Sequence, residues 1–372
     1  MRLFFDARYL RTDFHDGISR FSHELAHALA TATAGTDVEV TFVVHDPAQL
    51  ALLPEGVAHV RIHAPTSVIE PLTARVLNRL APDVVYSPMQ TMGSAGRRFG
   101  LILTLHDTIY YRHRTPPRDL SWGVRLLWRL FHLSYLPQRL TLNAADVVAT
   151  VSETSKREFE RVRLTKRPIV VLPNAPQRLA DLLPGSASPG AGAPVNLVYM
   201  GSFMPYKNVE TLVRAMAWLP GRTLHLLSRI SPARRAELEA LVPVGASVVF
   251  HGGVTDERYA ELLADGGVLV TASLDEGYGL PVAEALALGV PAVVSDLEIF
   301  HEVAGDGALY VPATDAAAFA AAVRSLDDDA ARAEVVAAGR EHIARFTWEE
   351  SAARLVEAAR GVVAARRARA RR

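Results

Sequence analysis

The chain has 372 residues, no cysteine, and 40 basic and 40 acidic side chains, so its formal net charge is zero. The lack of cysteine excludes disulfides, thiolate nucleophiles and cysteine-ligated metals. A neutral chain has no overall field that attracts nucleic acid, and only its last residues are strongly basic, so a nucleic-acid binder is the least favoured class of protein. The length suits two domains, each with an ample core.

The chain begins with an apolar stretch that reaches an acidic residue at Asp6. This pattern is typical of a first β-strand and not of the apolar core of a signal peptide. No apolar run approaches the ~18 residues that a membrane-spanning helix requires. We therefore expect a cytoplasmic protein, with the inner face of the membrane as the only place for lipid contact.

Short runs rich in Val, Leu and Ile alternate with longer helical patterns along the whole chain. This alternation is typical of parallel sheets that helices cover on both faces. The predicted strands are Arg2–Asp6, 38–45, Val84–Ser87, 101–105, 147–151, 169–172, 196–201, 223–227, 247–251, 268–272, Ala292–Ser295 and Ala308–Val311.

Residues 184–194 are made only of Pro, Gly, Ser and Ala, which is the composition of a flexible connector. The connector separates two predicted doubly wound α/β domains, 1–183 and 195–346. Residues 347–372 form a final helical pattern with a basic end.

The first strand leads into Asp16-Gly17-Ile18-Ser19-Arg20 and then into a helical pattern over 21–30. Gly17 would let the backbone approach a ligand closely, but an ordinary turn explains this loop equally well.

The predicted strand 101–105 ends in His106-Asp107. Ligands bind at the carboxyl ends of the strands in a doubly wound sheet, so we expect His106 to lie at a binding site. Its imidazole can donate a hydrogen bond to a ligand hydroxyl or relieve charge near a reacting carbon. The alternatives are a structural role for His106 and a capping role for Asp107.

Two segments bear on partners. Trp122–Phe131 combines aromatic and basic side chains at helical spacing, so this helix either lies on a membrane surface or, in the simpler interpretation, packs on its domain with a few arginines exposed. The tail 366–372 is a compact cluster of arginines, which either contacts anionic lipid or is a solvated end.

The first strand of the second half is followed by Gly201-Ser-Phe-Met-Pro-Tyr-Lys207-Asn208. A lysine at this place can stabilise negative charge that develops on a bound group during a reaction. The alternative is a solvated lysine at the start of a helix. Arg229, after the next strand, is a further candidate cation.

Residues 267–289 have the pattern of a buried strand, a glycine-rich turn and a helix that starts near Pro281 and stops at Gly289. This arrangement directs backbone N–H groups and the positive end of a helix toward an anion. Glu276 falls in the turn, and Glu284 falls about one helical turn further on. The alternative is that both acids merely complement the helix dipole.

This segment resembles the retaining glycosyltransferases of family 4, whose pattern of two glutamates separated by seven residues matches Glu276-Gly-Tyr-Gly-Leu-Pro-Val-Ala-Glu284. The resemblance implies the GT-B fold, in which two Rossmann-like domains face each other across a cleft and the last helix crosses back to the first domain. It implies transfer of a hexose, with mannose among the candidates, from a GDP- or UDP-sugar to a glycan, lipid-linked or small-molecule acceptor. It also implies retained anomeric configuration and no metal, in polysaccharide or glycolipid biosynthesis.

The resemblance also assigns roles to residues. Lys207 and the amides near Gly279 and Leu280 stabilise the donor diphosphate, Glu284 holds the ribose, and Glu276 and His106 position the donor sugar. The residues expected to be catalytic are His106, Lys207 and Glu276, and those expected to bind the donor are Gly17, Lys207, Val254, Glu276, Gly279, Leu280 and Glu284.

The chain departs from the family pattern at Ser202, where many members have an arginine, and at Ser19, where they have a second glycine. The missing arginine is the best support for an alternative, a sugar-nucleotide-binding protein without turnover. Another GT-B enzyme, an epimerase or a phosphorylase, is the remaining alternative, although the sequence shows no second cationic phosphate pocket.

Overall fold

The computed structural model describes residues 1–12, 17–116, 122–183 and 194–371. The described residues form two compact units. The first unit comprises 1–114, 122–174 and the C-terminal residues from 347, and the second unit comprises 175–346 with the short segment that begins at 115. Asp16, the connector up to residue 193 and Arg372 lie outside the described residues.

The first unit contains a parallel sheet. Its strands are β1 (Arg2–Asp6), β2 (Glu39–Val44), β3 (His59–Arg61), β4 (Val84–Ser87), β5 (Gly100–Thr104), β6 (Val147–Thr150) and β7 (Ile169–Val171). They are ordered β3-β2-β1-β4-β5-β6-β7, so the direction of winding reverses beside β1.

The second unit contains a smaller parallel sheet. Its strands are β8 (Asn196–Tyr199), β9 (Thr223–Leu226), β10 (Ser247–Phe250), β11 (Gly267–Thr271), β12 (Ala292–Ser295) and β13 (Ala308–Val311). They are ordered β10-β9-β8-β11-β12-β13, so the winding reverses between β8 and β11.

Helices connect most of the successive strands in both units, whereas a loop without a helix joins β4 to β5. The helices of the first unit are α1 (Gly17–Thr33), α2 (Thr73–Asn78), α3 (Ile109–Arg112), α4 (Trp122–Phe131), α5 (Leu136–Asn143) and α6 (Glu153–Arg161). Those of the second unit are α7 (Val209–Ala215), α8 (Pro232–Glu239), α9 (Asp256–Ala264), α10 (Leu280–Leu288), α11 (Glu298–Ala304), α12 (Ala316–Ser325) and α13 (Asp329–Ile343). Short 3-10 helices cover Ala7–Tyr9, Pro47–Leu52, Glu70–Leu72, Leu179–Leu182, Pro205–Lys207 and Met216–Trp218.

The last helix, α14 (Trp348–Ala370), belongs to the first unit and packs against α1 and the first sheet. The Trp348 ring lies 5.7 Å from the Phe21 ring of α1. The Ser351 hydroxyl donates a hydrogen bond of 2.6 Å to the carbonyl oxygen of Pro173. Among the described residues, no helix is both long and apolar enough to cross a bilayer.

The central strands of both sheets are buried on both faces, as their continuous apolar sequences predict. Every residue of β4, β5, β11 and β12 is buried. The structure confirms twelve predicted strands to within two residues and adds β3, which the sequence analysis missed. That strand has three residues, His-Val-Arg, two of them exposed, so it lacks the apolar run that marks the other strands.

Candidate active site

The loops after β8 and β11 meet in the second unit. These two strands are neighbours at the point where the winding reverses, so their carboxyl ends open side by side. The backbone N–H of Leu274, after β11, donates to the carbonyl oxygen of Tyr206, after β8, at 2.7 Å. This hydrogen bond ties the two predicted phosphate-binding loops together.

Asn208 fixes the end of the lysine loop. It adopts a left-handed conformation (φ 49°, ψ 41°), which asparagine tolerates better than most residues, and it caps α7. Its side-chain amide donates to the carbonyl oxygens of Ala272 and Ala313, at 3.1 and 2.7 Å. The residue that follows Lys207 therefore anchors this loop to the end of β11.

Lys207 and Glu276 form an ion pair. The Lys207 Nζ lies 2.5 Å from Glu276 Oε1, and the two side chains are only 15% and 12% exposed. The Ser273 hydroxyl donates to the same carboxylate oxygen at 2.8 Å. Two residues that are 69 positions apart in the sequence are thus brought together, and Glu276 holds the lysine in place at the loop junction.

Gly279 and Leu280 form the start of α10. Gly279 has a left-handed conformation (φ 96°), and a Cβ added to it would lie 2.7 Å from the ring of Phe300. Only glycine satisfies both constraints. Leu280 is the first residue of the helix, so its N–H has no carbonyl partner within α10 and is available to an anion.

Glu284 lies on the buried side of α10. It is 2% exposed, which makes it the most shielded of the predicted site residues in this unit. A carboxylate in such a position is costly unless it has partners. The predicted contact between Glu284 and a ribose would therefore be made in an enclosed part of the site.

Val254 lies in the loop after β10 and is half-buried. Gly252 and Gly253 precede it, both with positive φ, and the N–H of Gly253 donates to the carbonyl oxygen of Leu227 at 2.9 Å. The side chain of Arg229 packs against Gly253, where an added Cβ would lie 3.2 Å from its Cγ. The structure therefore places Arg229 at the Val254 loop.

A histidine pair supports the same loop. His225 Nδ1 lies 3.0 Å from His251 Nε2, and His225 Nε2 lies 3.1 Å from Asn196 Oδ1. Burial lowers the pKa of His225, and the neighbouring His251 lowers it further. Burial likewise lowers the pKa of His251, with a smaller effect of Arg258. Both rings are thus favoured in their neutral forms, which is compatible with this hydrogen-bond chain.

His106 lies just beyond the carboxyl end of β5 in the first unit. Its Nε2 lies 2.9 Å from the carbonyl oxygen of Pro88, so this nitrogen must carry the proton. Its ring makes an edge contact with Phe21 of α1 at 5.2 Å. The Asp107 carboxylate accepts a hydrogen bond of 2.9 Å from the N–H of Ile109, the first residue of α3, although Thr108 occupies the N-cap position of that helix.

Gly17 is the first residue of α1 and is exposed. A Cβ added there would meet nothing within 4 Å, and its φ is not in the left-handed region, so this conformation does not itself require glycine. Ser19, which replaces the family's second glycine, accepts a hydrogen bond of 2.9 Å from the N–H of Arg11. The substitution therefore fastens the start of α1 to the preceding loop.

The sequence analysis missed a buried charge cluster in the first unit. The Arg8 guanidinium is 2% exposed and makes paired hydrogen bonds with Asp6, at 2.8 and 3.0 Å, and with Glu70, at 2.7 and 3.0 Å. Burial alone would lower the pKa of Arg8, but the two carboxylates outweigh it and raise the pKa. The Ser87 hydroxyl, next to the Pro88 carbonyl that His106 contacts, donates to Asp6 at 3.2 Å. The cluster thus supports the end of β4, where the Pro88 carbonyl contacts His106.

Two family models match the chain. The model described as Glycosyltransferase Family 4 matches residues 15–175, and the model described as Glycosyl transferases group 1 matches residues 194–329.

Two curated relatives illustrate the similarity. O-antigen chain mannosyltransferase B of Escherichia coli is 30% identical over 69% of this chain and 69% of its own length. The phosphatidyl-myo-inositol mannosyltransferase of Mycobacterium leprae is 37% identical, but over 29% of this chain and 30% of its own length.

Solved structures share the fold over nearly the whole chain. Sucrose-phosphate synthase from Thermosynechococcus elongatus has a TM-score of 0.72 at 21% identity and covers 98% of this chain and 99% of its own. Anabaena HepE, solved with UDP and glucose, has a TM-score of 0.69 at 16% identity and covers 96% and 99%. The family matches, the E. coli relative and the shared architecture show that this chain belongs to glycosyltransferase family 4 and is a hexosyltransferase with the two-domain GT-B fold.

Proposed function

We propose that the protein is a retaining enzyme that transfers a hexose, with mannose favoured, from a GDP- or UDP-sugar to a glycan, lipid-linked or small-molecule acceptor. The E. coli relative is named a mannosyltransferase of the O-antigen chain, and the M. leprae relative a mannosyltransferase that acts on phosphatidyl-myo-inositol. HepE was solved with UDP-glucose. These names support a nucleotide-sugar donor and an acceptor in polysaccharide or glycolipid biosynthesis.

The ion pair between Lys207 and Glu276 is the observation that carries this proposal. It lies at the edge of the sheet where ligands bind in doubly wound folds, on the loop that leads into α10. We assign Lys207 and the N–H of Leu280 to the leaving diphosphate, because a fixed cation and a helix N-terminus both stabilise the charge that develops there. When the diphosphate binds Lys207, the Glu276 carboxylate becomes available to a hydroxyl of the donor sugar.

The remaining residues would complete the donor site. Glu284 would hold the ribose, Val254 would lie against the base, and His106 would contact a hydroxyl of the transferred sugar. Gly17 would allow close approach to the donor phosphate. An oxocarbenium-like transition state needs charge stabilisation more than a strong base, so Glu276 is given a positioning role and is not assigned as a covalent nucleophile.

The proposed function includes contact with a membrane surface, for which Trp122–Phe131 and the tail 366–372 are the sequence candidates. Such contact would bring the enzyme to a lipid-linked acceptor.

A donor screen tests the transferase proposal. We expect one GDP- or UDP-hexose to raise the melting temperature of the protein, because a ligand that binds only the folded state stabilises it. The same donor should release its nucleotide diphosphate when a matching acceptor is supplied, and NMR of the product should show the donor's anomeric configuration. An inverted product would contradict retention. Nucleotide binding by calorimetry with no release from any donor–acceptor pair would favour the binding protein without turnover.

A further inference from the structure

Helix α4 and the residues after it expose large apolar side chains. Across the ten described residues of α4 none is buried, which differs from the interpretation of α4 as a packed helix. Trp122 is 83% exposed, and the chain continues to α5 with further exposed leucines. We call this surface the α4–α5 strip, and its main members are Trp122, Leu126, Leu130, Leu133, Leu136 and Leu140.

One side of α4 is anchored through Trp128, and the exposed apolar side chains, among them Val124 and Leu127, are spread over the remainder of its surface. The Trp128 ring makes an edge contact with Tyr110 at 5.1 Å and lies 4.1 Å from the His132 ring. Residues 122, 126 and 130 are spaced four apart, so they lie along the outer face of the helix. In α5, Leu136 and Leu140 have the same spacing. The strip therefore lies on a helix that is held to the first unit through the contact of Trp128 with Tyr110.

The charges of this segment have one sign. From residue 122 to residue 145 the sequence contains no aspartate or glutamate, and it contains Arg125, Arg129 and Arg139. The Arg139 guanidinium is held by the carbonyl oxygens of Val162 and Arg163, at 2.7 and 3.1 Å. Within the sequence of this segment, the charged side chains are thus all positive.

We infer that the α4–α5 strip docks the protein on an anionic lipid surface. Soluble monomers rarely expose contiguous apolar patches, so a strip of this kind indicates a partner. A second copy of the chain would bring two positively charged strips together, which costs free energy. Anionic lipid is complementary to both the apolar side chains and the positive charges. Trp122 and the leucines would enter the acyl boundary while arginines contact phosphates. This inference deepens the membrane contact of the proposed function by giving it a surface and a lipid class.

The first two arginines of the basic tail have partners in the first unit. Arg366 donates a hydrogen bond of 3.0 Å to the carbonyl oxygen of Arg98 and lies 3.6 Å from Asp146, and Arg367 lies 3.5 Å from Asp83. These partners lie at the amino ends of strands in the first sheet. We therefore assign docking to the α4–α5 strip and not to the tail.

Co-sedimentation of the full chain with vesicles, without donor or acceptor, tests this assignment independently of the transferase proposal. We expect binding to vesicles of phosphatidylcholine with phosphatidylglycerol, weaker binding to phosphatidylcholine alone, and weaker binding at high salt. The double variant Leu126→Asp/Leu130→Asp should bind anionic vesicles at least about tenfold more weakly, because both side chains lose their burial in lipid. Leu126→Ala/Leu130→Ala, a milder change, should reduce binding in the same direction.

Two control variants should bind like the parent protein. Val244→Asp changes another fully exposed apolar residue, and Arg369→Glu/Arg371→Glu reverses charges of the tail. Failure of the parent protein to bind either kind of vesicle would overturn the inference, as would unchanged binding by the leucine variants. A concentration-dependent dimer that the leucine variants abolish would also overturn it, in favour of a second copy of the chain.

Discussion

Replacing Lys207 with alanine is expected to lower kcat/KM for sugar transfer by about 10²–10³-fold, since removing one group that stabilises developing charge typically has this effect. The expected loss is at the upper end because the family's arginine is replaced by Ser202, which leaves Lys207 as the cation of its loop. Initial rates of nucleotide diphosphate release, measured at low donor concentration, give this value directly. Lys207→Arg keeps the charge but changes its geometry, so its activity should lie between those of the parent protein and the alanine variant.

A matched control for the Lys207 variant is Arg222→Ala. Arg222 also makes an ion pair in the second unit, with Asp327 at 2.6 Å, but it precedes β9 and so lies at the amino end of that strand. Its loss should leave kcat/KM within about twofold. Equal losses in the two variants would mean that any damage to this unit lowers activity, and a Lys207→Ala enzyme with full activity would remove Lys207 from the proposed mechanism.

Replacing Arg8 with methionine is expected to destabilise the first unit by about 3–5 kcal/mol, which is the usual cost of removing one partner from a buried ion pair. The Asp6 and Glu70 carboxylates would remain at sites that are 1% and 8% exposed, without the guanidinium that makes paired hydrogen bonds to both. Variants that also carry Asp6→Asn and Glu70→Gln should recover part of this loss, because neutral amides need no counter-charge.

Tryptophan fluorescence during urea unfolding can report on the first unit alone. The chain has four tryptophans, and three of them, Trp122, Trp128 and Trp348, belong to that unit. Changing the partly exposed Trp218 to phenylalanine removes the only signal of the second unit. In that background, Arg8→Met should shift the transition to lower urea. Arg360→Ala breaks an exposed pair with Asp37 in the same unit and should shift that transition little. Equal midpoints for the Arg8→Met and parent proteins would contradict a stabilising role for the charge cluster.

The strand–turn–helix pattern at 267–289 made the centre of the second unit predictable. The apolar run before it forms β11, Gly279 has the left-handed conformation that its position requires, and Gly289 ends α10. The approach of Lys207 to Glu276 follows from topology, because loops after neighbouring parallel strands open at the same edge of a sheet. The apolar run, the two glycines and the rule for neighbouring parallel strands were therefore sufficient to predict this part of the site.

The charge cluster at Arg8 could not be predicted in the same way. Arg8 follows the first strand in a stretch that has no periodic pattern, and its partner Glu70 is 62 residues away in a 3-10 turn. A single sequence does not indicate which distant acid will neutralise a basic side chain. The exposed face of α4 was ambiguous for a related reason, since an amphipathic pattern indicates that one face is apolar but not what covers that face.

Equilibrium binding of a nucleoside diphosphate and of the matching monophosphate to the parent protein and to Lys207→Met tests most directly whether Lys207 holds the donor diphosphate. The parent protein should prefer the diphosphate by about tenfold to a hundredfold, the range expected for a hydrogen bond to a charged group. The methionine variant should lose most of this preference while it binds the monophosphate as before. The same preference in both proteins, measured by calorimetry, would contradict the proposed donor site.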